Sequence, residues 1–111
     1  MSDCLFCKFA SHEIPTTVVY EDELVFAFDD INPQAPVHTL VIPKAHYLDI
    51  TDGVPAETLA AMAYAIDKVA AAKGLDGGFR VISNKGADAG QTVMHFHMHV
   101  LGGKKLGEGL V

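Results

Sequence analysis

The stretch Met94-His95-Phe96-His97-Met98-His99-Val100-Leu101 alternates imidazoles with apolar side chains. A repeat of two is the repeat of a β-strand, in which residues two apart face the same side. The stretch therefore predicts a strand with His95, His97 and His99 on one face and Phe96, Met98 and Val100 on the other. The apolar face calls for a covering layer. The histidine face looks outward or into a cleft. Neighbouring members stand about 6.6 Å apart along a strand and the outer pair about 13 Å. Neighbours can share one phosphate or one metal ion, but all three cannot reach the same atom. The row must divide its roles.

The rest of the chain supplies the surroundings. Lys85 to Gln91 is a glycine-bearing loop, and Gly78 to Asn84 before it reads as a strand. Residues 56–73 form a long amphipathic helix with Leu59, Met62, Ala63, Ile66, Val69 and Ala70 on one face. Pro55 suits its first turn and Gly74 the left-handed position past its end. His38 to Ile42 is a strand stopped by Pro43, and Asp29 to Val37 is a loop rich in Pro and Asn. Thr17–Tyr20 and Leu24–Phe28 form a hairpin about the polar turn Glu21-Asp22-Glu23. Cys4 to Ala10 reads as a short helix or turn closed before Ile14-Pro15. Most strands are joined by short turns. The expected fold class is α+β: a largely antiparallel five-stranded sheet, one long helix on one face, and a short N-terminal helix.

The 111 residues suit a single domain spanning 1–111, and half of them are hydrophobic. The net charge of −6 argues against nucleic-acid binding, which needs Lys and Arg to neutralise phosphates. An anionic substrate would have to be held by local donors. No stretch has the length of a membrane span. The opening Met1-Ser2-Asp3-Cys4 lacks the basic-then-apolar order of a secretory signal, so a cytoplasmic protein without a membrane partner is expected. In a reducing compartment the pair Cys4-x-x-Cys7 is not a structural disulfide, which leaves metal binding, redox chemistry or packing.

Three readings of the histidine row compete. It can be a solvated strand face. It can be a catalytic metal site, since His-x-His on a strand can ligate zinc, although no acidic residue lies among the three. Or it can carry nucleophilic catalysis. A neutral imidazole with a fixed tautomer attacks phosphorus, and a second histidine binds phosphate oxygens or assists the leaving group. The loop Asn84 to Thr92 favours the third reading, because its two glycines and its amide and hydroxyl donors can approach an anion closely. Neither a Walker-type nor a G-x-G-x-x-G motif is present.

His95-Phe96-His97-Met98-His99-Val100-Leu101 resembles the defining histidine-φ-histidine-φ-histidine-φ-φ motif of the histidine-triad (HIT) family, where φ is apolar. The chain is similar to the Hint branch, the purine nucleoside phosphoramidases, over essentially its whole length. Phe28-Asp29-Asp30-Ile31-Asn32-Pro33-Gln34-Ala35-Pro36-Val37-His38, Val41-Ile42-Pro43-Lys44-Ala45-His46, Gly90-Gln91-Thr92-Val93 and Leu101-Gly102-Gly103 match that branch in order. The resemblance implies a hydrolase of nucleoside 5′-phosphoramidates. His97 would be the nucleophile that forms a nucleotidyl-histidine, and His99 the phosphate and leaving-group partner. His38 would support the triad. Asn84, Gln91 and Thr92 would hold phosphate oxygens or help the amine depart, with Gly90 beside them; Thr92 stands where the branch commonly has Ser. Asp30 would accept the ribose hydroxyls, and Phe28, Ile31 and Leu40 would line an apolar base slot. Asn32 stands where Ser is frequent.

The resemblance also implies a purine nucleotide substrate and a homodimer formed through the long helix. Some family members bind zinc through a cysteine pair and histidines, so structural zinc is expected on Cys4, Cys7, His46 and His95, with no metal required for the chemistry. The alternatives are a dinucleoside polyphosphate hydrolase, a nucleotide-binding regulatory module with incidental catalysis, and a metal sensor built on the cysteines.

Overall fold

The structure, a computed structural model, describes residues 4–111. The Met1–Asp3 part of the expected N-terminal reading lies outside the described residues. The elements follow in the order α1 (Leu5–Ala10), β1 (Val18–Glu21), β2 (Val25–Asp29), β3 (Val37–Pro43), α2 (Ala56–Lys73), β4 (Arg80–Ser83) and β5 (Met98–Gly102), with a 3-10 turn at Ala87–Ala89. All strand pairs are antiparallel, in the spatial order β1-β2-β3-β5-β4. The fold is α+β as expected.

Alternation along the strands sorts the core into two layers. Val25, Ala27, Val41, Phe96 and Val100 face α2, where Met62, Ala65 and Val69 close over them. The intervening Phe26, Phe28, Leu40 and Ile42 face the other way and are covered by Phe6 and Ala10 of α1. Each fully buried Val, Leu, Ile, Met or Phe among them contributes about 1.5–3 kcal/mol relative to exposure. A helix as short as α1 does not persist by itself in water. It is held by this aromatic packing and by its cap, where the Cys7 backbone N–H donates to Cys4 Sγ at 3.3 Å.

The structure corrects the expected elements in four places. The strand expected from Met94 begins only at Met98, because the chain bends at residues 93–95 and the ladder to β3 opens with Val41↔Met98. The Phe96 N–H donates instead to the carbonyl of Tyr47, outside the sheet, at 2.7 Å. The two-faced pattern still survives the bend, since Phe96 packs under α2 while His95 and His97 lie against Phe6. Second, of the competing readings of the row, the solvated strand face does not hold for its first two members: His95 is 0% exposed and His97 7%, while His99 is half-buried. Third, Pro43 ends β3 inside the sheet, paired with Val25, and β4 is shorter than expected, starting at Arg80. Fourth, α2 turns Thr58, Met62, Ala65 and Val69 inward, and Ala63 is exposed. Alanines on neighbouring faces of one helix do not distinguish themselves by hydrophobicity. The helix does end as expected, at Gly74 with φ 67°.

Among the described residues no helix is long and apolar enough to cross a membrane.

Candidate active site and metal-binding cluster

The bend before β5 separates the histidine row into two groups. His97 and His99 stand together, with ring centroids 5.0 Å apart, and His38 on the paired strand β3 lies 5.1 Å from His99. His95 turns toward Cys4, Cys7 and His46.

The tautomers of the first group follow from what each ring faces. His97 Nδ1 meets the His95 carbonyl oxygen at 2.7 Å, and a carbonyl can only accept, so the proton sits on Nδ1. The Nε2 lone pair is then free. Burial holds the His97 pKa below the ordinary histidine value, against the opposing pull of that hydrogen bond and of the Asp30 charge. His97 is therefore neutral at pH 7 and presents a nucleophilic nitrogen. On β3, the Gln34 backbone N–H donates to His38 Nδ1 at 3.0 Å. With Nδ1 engaged as an acceptor, the ring proton of His38 lies on Nε2, from where it donates to His99 Nδ1 at 2.9 Å. That leaves the His99 proton on Nε2, facing away from His38. Burial, helped by the neighbouring rings of His97 and His38, lowers the His99 pKa to about 4.

A cleft of about 300 Å³ opens nearby, and two residues of its wall, Phe6 and Asp30, stand against His97 and His38. Phe28, Asp30, Ile31, Asn32 and Leu40 line it together with Thr92. Phe28 and Leu40 also belong to the α1-side core. Ile31 is 89% exposed and forms the lip of the cleft. Asp30 Oδ1 accepts the Asn32 N–H at 2.8 Å, which closes the turn, and Oδ2 stands 3.6 Å from His38 Nε2. Leu5, Phe6 and Phe9 of α1 complete the apolar wall. Sequence reasoning missed these three. Their only signal was an apolar, aromatic face on a short segment, which reads equally well as core. Phe6 also stands edge-on to His97, at a centroid distance of 5.1 Å.

The loop residues take different parts. Thr92 is exposed and lines the cleft. Gln91, expected to face phosphate, instead spends its amide on the backbone. Its Nε2 donates to the carbonyls of Leu48 at 2.7 Å and Val93 at 3.1 Å, and its Oε1 accepts the Gly86 N–H at 2.8 Å. The Asn84 side chain donates to the Ala89 carbonyl at 2.9 Å, and Gly90 closes the 3-10 turn in the left-handed region with φ 76°. Gln91, Asn84 and Gly90 shape the loop that carries Thr92.

In the second group the ligand atoms of Cys4, Cys7, His46 and His95 lie within 4.8 Å of one another. Cys4 Sγ is 3.2 Å from His95 Nδ1, Cys7 Sγ is 3.3 Å from His46 Nδ1 and 3.4 Å from His95 Nδ1, and the two Nδ1 atoms are 3.2 Å apart. The edges of a tetrahedral two-sulfur, two-nitrogen zinc shell are about 3.3–3.8 Å when built from the usual bond lengths. The donor set fits such an ion. His95 is also oriented for it, because Nε2 donates to the buried Pro43 carbonyl at 2.8 Å and leaves Nδ1 as a bare acceptor toward the sulfurs. Burial lowers the His95 pKa to about 4, which keeps it in the neutral form that a ligand requires.

Comparison with known proteins adds an independent finding. The sequence pattern of the family described as HIT domain matches residues 11–106. A HIT family hydrolase from Clostridium thermocellum superposes with a TM-score of 0.95 at 43% identity, covering 100% of this chain and 99% of that one. A histidine triad nucleotide-binding protein from Candida albicans superposes with a TM-score of 0.89 at 32% identity, covering 98% and 83%. A 14 kDa zinc-binding protein of Zea mays is 44% identical over 114 residues, covering 95% of this chain and 85% of its own length.

Proposed function

The chain belongs to the HIT domain family, and from that premise we propose that it is a hydrolase that cleaves the P–N bond of purine nucleoside 5′-phosphoramidates through a nucleotidyl-His97 intermediate. The observation that carries this reading is the hydrogen bond from His97 Nδ1 to the His95 carbonyl, which leaves Nε2 as a neutral, unprotonated nucleophile on a ring that stands edge-on to Phe6 of the cleft wall.

The base lies between Phe28, Ile31, Leu40 and the α1 wall, and Asp30 accepts from the ribose hydroxyls. His97 Nε2 bonds to the α-phosphorus while the P–N bond breaks. The amine leaves with a proton drawn from solvent through two donors, His99 Nε2 and the Thr92 Oγ1 of the cleft wall. Water then attacks phosphorus, the bond to His97 breaks, and the nucleoside monophosphate departs. His38 holds His99 in the tautomer that points its proton at the phosphate.

Cys4, Cys7, His46 and His95 would hold a zinc ion, which supplies a cross-link between α1 and the sheet and takes no part in bond breaking. On this reading residues 1–111 are one domain, working in the cytoplasm as a homodimer paired through α2 and the neighbouring strand.

Turnover of adenosine 5′-phosphoramidate by the wild type and by His97→Ala tests the reading. We expect a loss of at least about a hundredfold in kcat/KM with AMP still bound. Equal rates would remove His97 as nucleophile. Binding of AMP without turnover by the wild type would leave a nucleotide-binding module in place of an enzyme.

A further inference from the structure

The helix α1 and its N-cap residue Cys4 carry two kinds of residue at once. Cys4 and Cys7 join the metal-binding cluster, while Leu5, Phe6 and Phe9 form one wall of the nucleoside cleft. The helix is six residues long, and its other anchorage is the packing of Phe6 and Ala10 on the aromatic side of the sheet. So short a helix keeps its place only through such tethers. The metal cluster is the tether that ties it to the segments holding His46 and His95, and Phe6 touches both His95 and His97.

The two sulfurs are also placed to react with each other. They lie within 4.8 Å, one turn apart at the start of α1, a spacing at which a disulfide closes by side-chain rotation. They can be reached from outside as well. Both cysteines are half-buried, and Cys4 lines an open groove of about 440 Å³ bounded by His46, Leu48, Thr92 and Met94.

Resting on the zinc and nucleotide reading above, we propose that Cys4 and Cys7 are an oxidant-sensing modification site: a hydroperoxide converts the metal-bound thiolates to a disulfide, the metal leaves, and α1 loosens from the nucleoside cleft. The chemistry balances. One thiolate attacks the peroxide oxygen, the O–O bond breaks, and an alcohol leaves with a proton from solvent. The resulting sulfenic acid is attacked by the second thiolate, the S–S bond forms, and hydroxide departs as water after taking up a second proton. Two electrons pass from sulfur to the peroxide, and the divalent cation is released to solvent. Because the metal and the nucleotide both favour the docked helix, their binding is reciprocally coupled.

The test uses the full-length, reduced, zinc-loaded protein with AMP as probe. On treatment with a hydroperoxide, and separately with the thiol-selective oxidant diamide, intact mass should fall by the two hydrogens of a disulfide while a chromophoric chelator records zinc release. The AMP dissociation constant should rise at least about fivefold, the lower end of ordinary coupling. Reduction with added zinc should restore it. Saturating AMP should in turn slow zinc release. A disulfide with released zinc and AMP affinity unchanged within twofold would overturn the proposal, as would sulfurs that stay reduced under both oxidants. A Cys7→Ser protein serves as a second control, since its AMP affinity should not respond to diamide, and a full response there would also overturn the proposal. Failure of the reduced, zinc-loaded wild type to bind AMP, or to carry zinc at all, would instead be a failure of the reading beneath it.

Discussion

His95 and His97 are joined by a single hydrogen bond that crosses between two sites. The carbonyl of His95 accepts the Nδ1 proton of His97 at 2.7 Å, while the ring of His95 faces the cysteines. The backbone that fixes the tautomer of His97 thus belongs to the residue whose side chain faces Cys4, Cys7 and His46.

The chain of donors from Gln34 through His38 to His99 makes a separable contribution. His38→Ala removes the donor to His99 Nδ1 and frees that ring to adopt the other tautomer. We expect kcat on adenosine 5′-phosphoramidate to fall by about 10- to 100-fold, at or below the usual range for a proton-transfer partner, with AMP binding retained. His38→Gln, whose Nε2–H reaches a similar point, should recover part of the loss. A steady-state comparison of the three proteins checks this, and equal rates for Ala and Gln would contradict it.

The low pKa of His99 has a signed consequence for stability. Its folded value of about 4 lies below the 6.5 of an ordinary histidine because the ring is buried. Between those values the unfolded chain binds more protons, so the contribution of this residue to stability falls as pH drops from 6.5 toward 4. His99→Asn removes the titrating group. Urea midpoints measured across that window should therefore decline more steeply for the wild type than for the variant, and parallel curves would refute the assignment.

Zinc loading is open to direct measurement. Protein purified without chelator should carry about one equivalent of zinc per chain, and Cys7→Ser should lose it. Cobalt exchanged into the site should give the intense visible bands of a tetrahedral thiolate centre. Less than about a tenth of an equivalent of any metal, measured by elemental analysis, would rule out the site.

Gly103 terminates the segment that follows the histidine row, and its backbone requires glycine. Its φ is +88°, and a Cβ there would stand 3.0 Å from Pro36 Cβ and 3.2 Å from Val37 Cγ2. The left-handed conformation costs a non-glycine residue about 1–2 kcal/mol, and the contact with β3 adds to it. Gly103→Ala should lower stability by about 1–3 kcal/mol. Chemical denaturation reads this directly, and a change below about half a kcal/mol would show that the loop relaxes freely.

The expectations that depended on periodicity transferred well into three dimensions. The helix over 56–73 appears with those bounds and ends at Gly74, and Phe96 and Val100 lie on the face opposite the histidines. Expectations that depended on which neighbour a residue meets fared less well. Gln91 looked like an anion donor by composition, yet its amide is consumed by Leu48, 43 residues away in sequence, and by Val93 and Gly86. Phe6 and Phe9 carried no functional signal, because an aromatic side chain that walls a cleft and one that fills a core are the same in one dimension. Ala63 and Ala65 could not be ranked, since a single methyl group barely shifts the direction of a helix's apolar face.

The sequence by itself determined the strand parity of the histidine row, and with it the division between imidazoles on one face and core on the other. Parity follows from local backbone geometry, which needs no partner to be read. The tertiary structure decided what each imidazole does. The bend at residues 93–95 and the Pro43 carbonyl turn His95 toward the sulfurs, the His95 carbonyl fixes the proton of His97, and a backbone N–H four residues before His38 sets the tautomer of His99. A tautomer is a property of the group facing the ring, and only the folded chain brings those groups into contact.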